Sequence, residues 1–352
     1  MDSTLINSFR NQVNRYSLIL HIYRNINGKN KWNAICSAMD WIQVGINGID
    51  KSKLVRDNSD EASIKFMTFV LCIDVMWEGV QQLHRVFYND SEIPFRERNN
   101  IFQQDMDDNH YWKEIRAAFA AHPTNLAGTK KGEKRFASWS GGGFGSKGDF
   151  SVLIYSNDPN QIGSAYFDIK FDELIQFASS RYEYLSTIMD QIDNITTQWC
   201  EKWKNKQIIL SDDVKRNIGI LLQENKIRLN NDYYQERLKE IDRAFTVEPS
   251  CLKNKKLISD YRAALTHEID KIKNALQSMD LGYEYEPIDD SADPDYNYPN
   301  QHIFEPEKGM LNWAISKLKV PLGCYIDFDS YASFAELQTL VNAGWWKYNQ
   351  RS

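Results

Sequence analysis

One segment governs what this chain can fold into: residues 60–88, DEASIKFMTFVLCIDVMWEGVQQLHRVFY. Its apolar run, Phe66 to Val80, carries Asp74 and Glu78 and falls short of the ~20 residues needed to span a bilayer. A helix that is apolar around most of its surface must be enclosed by other elements. The segment therefore predicts a buried helix from an Asp60 N-cap to about Tyr88, the central member of a helical bundle. A chain of 352 residues has room for roughly two domains, and 42% hydrophobic residues supply the core such a bundle needs.

Apolar residues at Leu5, Ile6, Phe9, Val13, Tyr16, Leu18, Ile19 and Ile22 predict one helix over 3–24. A second is expected from Lys31 to about Val44, stopping at Gly45–Gly48, and a fourth from Asp108 to Ala121, ahead of Pro123. The middle changes character. Arg135–Ser140, Asp149–Ser156 and Ala165–Phe171 are short aromatic or β-branched runs, which read as a two- or three-stranded antiparallel element. Helices are expected again over Asp172–Lys204, Asp212–Glu224, Asp232–Ala244 and Leu252–Met279. From Leu281 to Gly309 the chain is acidic and rich in Tyr and Pro. The expected division is a helical bundle over 1–132, a β-hairpin insertion over 133–171, a second bundle over 172–280, and an extended linker with a small α/β tail over 281–352.

Charge and cysteine use narrow the function. With 42 Lys and Arg against 48 Asp and Glu the net charge is −6, which excludes a generally basic nucleic-acid coat and confines any RNA contact to a local cationic site. Cys36, Cys72, Cys200, Cys251 and Cys324 are odd in number and widely spaced, so neither a disulfide framework nor a zinc module is expected. A reducing, cytoplasmic setting follows as the expectation. The N-terminal residues show no basic head followed by an uninterrupted apolar run, so neither a signal peptide nor membrane attachment is expected.

The segment richest in chemistry is Asp105–Leu126, DMDDNHYWKEIRAAFAAHPTNL. Arg116 lies on the predicted helix and His122 at its end, separated by Ala-Ala-Phe-Ala-Ala. An Arg followed after five residues by a His resembles the R-x4-6-H motif of the HEPN superfamily. The metal-independent RNA cleavage that this resemblance implies needs a group that moves a proton at the ribose 2′-OH or the leaving 5′-oxygen, and a cation against the phosphorane-like transition state. Histidine suits the first task, and such general acid–base help is worth roughly 10²–10⁴-fold. The arginine fork, able to hold two phosphate oxygens, suits the second. On an ideal helix six residues turn about 240°, which would put the two side chains on different faces. Pro123 biases His122 out of helical geometry and lets the turn swing the imidazole back.

This order, a long apolar helix, a polar connection, then a helix holding Arg with a His at its end, resembles the HEPN superfamily and its R-x4-6-H motif. That superfamily comprises small helical bundles of RNA-cutting toxins and defence proteins, and the resemblance covers residues 1–132. It implies a mostly α fold, a HEPN-like helical bundle with a small antiparallel β insertion and a second helical bundle. It also implies a metal-independent endoribonuclease of toxin or anti-phage defence type that uses no cofactor. RNA would be its substrate, a homodimer its working form, and an antitoxin or defence-system protein its partner class. Arg116 would stabilise the phosphate and His122 act as general acid/base. The family position after the arginine is frequently Asn, whereas here it is Ala117. That departure supports a second expectation, a non-catalytic HEPN-like regulator or scaffold that binds a nucleotide or a protein. It would bind through the same cleft. A third expectation is a helical interaction protein with no HEPN relationship, in which the two residues are structural: Arg116 pairs with Asp74 or Glu78, and His122 caps the helix C-terminus.

Lys130, Lys131, Lys134 and Arg135 form the one locally basic stretch near His122, suited to guiding a phosphate backbone or equally to a solvated loop. Asp105, Asp107, Asp108 and His110 have the residue types of a hard-metal cluster, but acids at a helix start complement its dipole. Asp108 is therefore expected as an N-cap, with no metal. Gly143–Gly148 matches GxGxxG by letter, yet a strand-like run follows it instead of a helix, which points to a hairpin tip. His84 and Arg85 become RNA contacts only if the bundle carries them to His122.

Overall fold

The structure, a computed structural model, describes residues 1–50, 54, 60–128, 130, 132–139, 148–160, 165–246 and 252–281. Lys131, Gly143 to Lys147 of the GxGxxG run and the expected tail beyond Leu281 lie outside the described residues. Helices α1 (Thr4–Asn14), α2 (Leu18–Tyr23), α3 (Trp32–Gly48), α4 (Asp60–Tyr88) and α5 (Asp108–Arg116) come first, and α5 continues into a π-helical segment, Ala117–Ala121. Strands β1 (Leu126–Ala127), β2 (Lys134–Ser138), β3 (Phe150–Ser156) and β4 (Ala165–Ile169) form an antiparallel sheet in that order. Helices α6 (Phe171–Glu183), α7 (Leu185–Lys204), α8 (Val214–Arg228), α9 (Asp232–Thr246) and α10 (Leu252–Gln277) follow. The fold is mostly helical with a small antiparallel sheet, the class that the periodicities predict.

The expected central helix spans Asp60–Tyr88 and buries Phe66, Phe69, Val70, Ile73, Met76, Trp77 and Val80. Its closest neighbour is α3, and glycine sets the approach. A Cβ on Gly45 would lie 2.6 Å from the Cys72 carbonyl oxygen and 2.8 Å from Met76 Cβ, and one on Gly79 would lie 2.7 Å from Ile42 Cγ1. The helix ends at Gly48, within the expected Gly45–Gly48 stop, and Gly45 inside it lets two helix backbones touch because it has no side chain.

Two other expected helices are broken. Residues 3–24 divide where Ser17 takes φ 54°, a left-handed conformation that no helix continues through. Residues 172–204 divide at Tyr184, whose hydroxyl reaches His84. The sheet has a fourth strand that no alternation announced, since β1 is only two residues long.

Packing ties the sheet to α4. Phe150, Val152, Ile154 and Ile169 are buried on its inner face. The Phe66 ring stacks on Phe150 at 4.5 Å and meets Phe119 edge-on at 5.3 Å. Each fully buried phenylalanine contributes about 1.5–3 kcal/mol. The chain divides into two compact units, Met1–Arg15 with Ile22–Thr196, and Tyr16–His21 with the chain from Thr197. The sheet belongs to the first. In the second, α8, α9 and α10 bury Ile218, Leu221, Leu238, Ile241, Leu265, Ile269, Ile272 and Leu276. No described helix is long and apolar enough to cross a membrane.

Candidate functional site

The site is built on the start, middle and end of α5. At the start, Asp107 is the N-cap, one residue earlier than expected; its carboxylate accepts from the amides of Asn109 (2.9 Å) and His110 (3.0 Å) and from His110 Nδ1 (2.5 Å). Asp108 is instead fully buried and accepts three backbone amides, of Asn100 (3.2 Å), Ile101 (3.2 Å) and Phe102 (3.0 Å). These acids therefore serve the helix start and the connection before it. Among the described residues no group of three or more His, Cys, Asp or Glu is arranged to hold a metal ion.

Burial alone would push the Asp107 carboxyl up, but the bonds from His110 and Asn109 outweigh it and hold it below its ordinary value. A carboxyl lowered by folding contributes stability that is fully present above its unfolded value and is lost as pH falls through the folded one. Asp107→Asn keeps an N-cap oxygen but removes the charge facing the helix start and His110, and should thus destabilise the protein at neutral pH by about 0.3–1 kcal/mol. In melting curves the gap to wild type should close as the pH drops below about 4. A gap that stays constant into acid would remove the charge from the account.

In the middle of α5, Trp112 is buried against Phe177, the rings 4.9 Å apart and nearly parallel. Trp112 and Arg116, four residues apart, share a helix face and meet Asp74 and Glu78, which are likewise four apart on α4. Asp74 accepts from Arg116 Nη1 at 3.1 and 3.3 Å and from Trp112 Nε1 at 3.4 Å; Glu78 stands 3.9 Å from the same Nη1. Both acids named from sequence are therefore brought to Arg116. Its side chain stays one-third exposed, at 33%, and among the described residues its Nε and Nη2 have no partner.

At the end of α5 the five spacer residues do not continue the α-helix but form the π-helical segment, closed by the His122 amide donating to the Ala117 carbonyl at 3.0 Å. Ala118 and Phe119 both reach the core this way. His122 leaves at φ −141°, ψ 45°, outside helical geometry, as a residue before proline should. Its side chain is exposed and, among the described residues, its ring makes no hydrogen bond. The turn itself is fixed. Asn125 donates its amide to the His122 carbonyl at 2.9 Å, and Ala137 of β2 donates to the Pro123 carbonyl at 2.6 Å.

The basic stretch divides. Arg135 is turned to the protein, donating to Glu114 of α5 (3.2 Å) and to the Ala127 carbonyl (2.7 Å). Lys130 lies 3.8 Å from Asp158, and Lys134 donates to the neutral amide oxygen of Asn125 at 2.9 Å, on the His122 turn. These partners come from strand pairing, which residue spacing did not disclose. His84 is not part of this cluster. It lies ten residues beyond Asp74 on α4, about 15 Å along the axis, buried and within 3.0 Å of the Tyr184 hydroxyl. Burial lowers its pKa. Arg85 meets Gln81 and Gln82.

Comparison with protein-family models, with curated proteins and with solved structures finds no match to this chain.

Proposed function

We propose that the protein is a metal-independent endoribonuclease of the toxin or anti-phage defence kind, with Arg116 and His122 at its centre, as the resemblance of residues 105–126 to HEPN proteins implies. The observation that supports this reading is an exposed histidine, released from a helix by a π-helical segment and a proline, following an arginine with two guanidinium nitrogens that have no partner among the described residues. Single π segments are frequent at functional sites. In the proposed reaction the His122 imidazole accepts the proton of a ribose 2′-OH as that oxygen attacks phosphorus. The bond to the 5′-oxygen breaks, leaving a 2′,3′-cyclic phosphate and a 5′-hydroxyl once that oxygen takes up a proton. Arg116, steered by Asp74 through Nη1, offers Nε and Nη2 to the charged phosphate oxygens. In a homodimer the second copy's histidine would supply the returning proton.

One observation favours a second reading. Asp74 already faces the Arg116 charge, which suits a non-catalytic module that binds a nucleotide or protein partner. Incubation with total RNA in the presence of EDTA separates the two. The nuclease reading expects cleavage in chelator and a rate lowered at least about 100-fold by His122→Ala, with an unchanged melting temperature. Intact RNA with wild-type protein, or cleavage indifferent to His122→Ala, sinks it in favour of the binding module.

A further inference from the structure

The outer face of the sheet carries three aromatic side chains in water. Strand register places Phe136 opposite Tyr155, and Leu153 opposite both Ser138 and Tyr166. Because alternate residues share a face, Phe136, Tyr155 and Tyr166 stand on the same side of three adjacent strands, opposite to buried Phe150 and Val152. Their exposures are 37%, 43% and 53%, whereas Phe9, Phe66, Phe119 and Phe177 are fully buried. Around the rings this face carries Leu153 and polar residues. Ser138 lies on this face, and Ser151 donates to Asp168 at 2.6 Å.

The chemistry of this face selects its occupant. An aliphatic protein surface would be met by aliphatic side chains, and among the described residues of this face only Leu153 is of that type, half-buried. Phe136 and Tyr155 stand directly opposite each other and Tyr166 stands diagonal to Tyr155, so the three present separate ring faces on neighbouring strands to flat heteroaromatic rings, and Ser138 and Asp168 suit the polar edges of bases. Charge agrees at one rim: Lys134 is on the same face, its ammonium bonded to neutral Asn125, so its charge is left for an anion. That rim adjoins the His122 turn, stitched to β2 by the Ala137–Pro123 bond.

We propose that the outer face of β2, β3 and β4 is a stacking platform for single-stranded RNA, with Phe136, Tyr155 and Tyr166 each taking a base and Lys134 a phosphate. The choice of RNA rests on the nuclease reading above; the platform itself is tested by binding. Full-length His122→Ala protein in EDTA is titrated into a fluorescein-labelled single strand of about ten nucleotides, and into the same strand annealed as a duplex, with anisotropy as readout. The single strand should bind more tightly than the duplex. Phe136→Thr, Tyr155→Thr and Tyr166→Thr should each weaken binding at least about fivefold, threonine keeping the strand propensity. Tyr155→Phe should bind as the parent does, and Lys134→Gln should flatten the salt dependence without touching a ring. Absence of single-strand binding, equal affinity for the duplex, or indifference to all three threonine changes overturns the platform. Ring-dependent binding without cleavage by wild type defeats the nuclease reading alone; cleavage with ring-independent binding defeats the platform alone.

Discussion

Arg228→Ala should remove about 3–5 kcal/mol of stability, the range for breaking a buried charged network by deleting one partner. Arg228 is the last residue of α8, and its side chain is fully buried. Its Nε donates to Glu224 at 2.7 Å, its Nη1 to the Trp203 carbonyl at 2.6 Å and the Leu276 carbonyl at 3.5 Å, and its Nη2 to the Lys206 carbonyl at 2.6 Å. Trp203, Leu276 and Arg228 lie in the last turns of α7, α10 and α8, so one guanidinium serves the carbonyl-rich ends of three helices. Helix C-termini carry partial negative charge and leave their last carbonyls without partners, which a buried cation satisfies. Alanine would orphan those carbonyls at about 1–3 kcal/mol each, strand Glu224, and empty the space beside the Trp203 ring, whose centre is 5.3 Å from the guanidinium carbon. Arg228→Lys should recover only part of the loss, since an ammonium cannot span the same fork of acceptors. Urea unfolding followed by tryptophan fluorescence measures both; a loss under about 1 kcal/mol for alanine would show that the helix ends are satisfied by other means.

How much of this was open to reading differs by element. The boundaries of α4 were legible at Asp60 and Tyr88, because an apolar run this long has only one folded use. The stop of α3 near Gly45–Gly48 was legible, but the close crossing at Gly45 was not, since a residue without a side chain marks a helix end and a helix crossing by the same letter. The π-helical segment was illegible: Ala-Ala-Phe-Ala-Ala favours any helix, and what selects this one is that Ala118 and Phe119 both face the core. At the site, Asp74 and Glu78 were foreseeable partners for Arg116 because helical spacing alone puts each pair on one face. Glu114, Asp158 and Asn125 were not, because their pairing with the basic stretch depends on how β1 and β2 come together. Arg228 shows the same limit from the other side, for nothing in its neighbours distinguishes a buried arginine from a solvated one.

Asp108→Ala should cost about 3 kcal/mol and loosen the connection between α4 and α5, because its carboxyl is the buried acceptor for three consecutive amides. That connection is costly to hold. Asn89, Phe95, Glu97 and Gln103 all take left-handed φ values between 52° and 62°, a conformation that persists in non-glycine residues only where neighbours enforce it. Enforcement comes from the α5 start. The Asp108 amide donates to the Arg98 carbonyl at 2.7 Å, Asn109 donates to the Pro94 carbonyl at 3.0 Å, and Asn109 in turn accepts from Arg181 at 3.1 Å. Arg181 is itself buried over the Phe177 ring at 4.0 Å, and burial lowers it to about 10. Without the Asp108 acceptor the amides of Asn100, Ile101 and Phe102 lose their partners together, and local opening becomes cheaper than global unfolding. Trypsin should then cut after Arg96 and Arg98 much faster than in wild type, while Arg116, two turns further along α5, keeps its bond to Asp74. Asp108→Asn should fall between the two, one oxygen still accepting while its amide group confronts donors. If Asp108→Ala leaves the tryptic rate unchanged and the urea midpoint within about 0.5 kcal/mol of wild type, the connection is held by Asn109 and Arg181 alone.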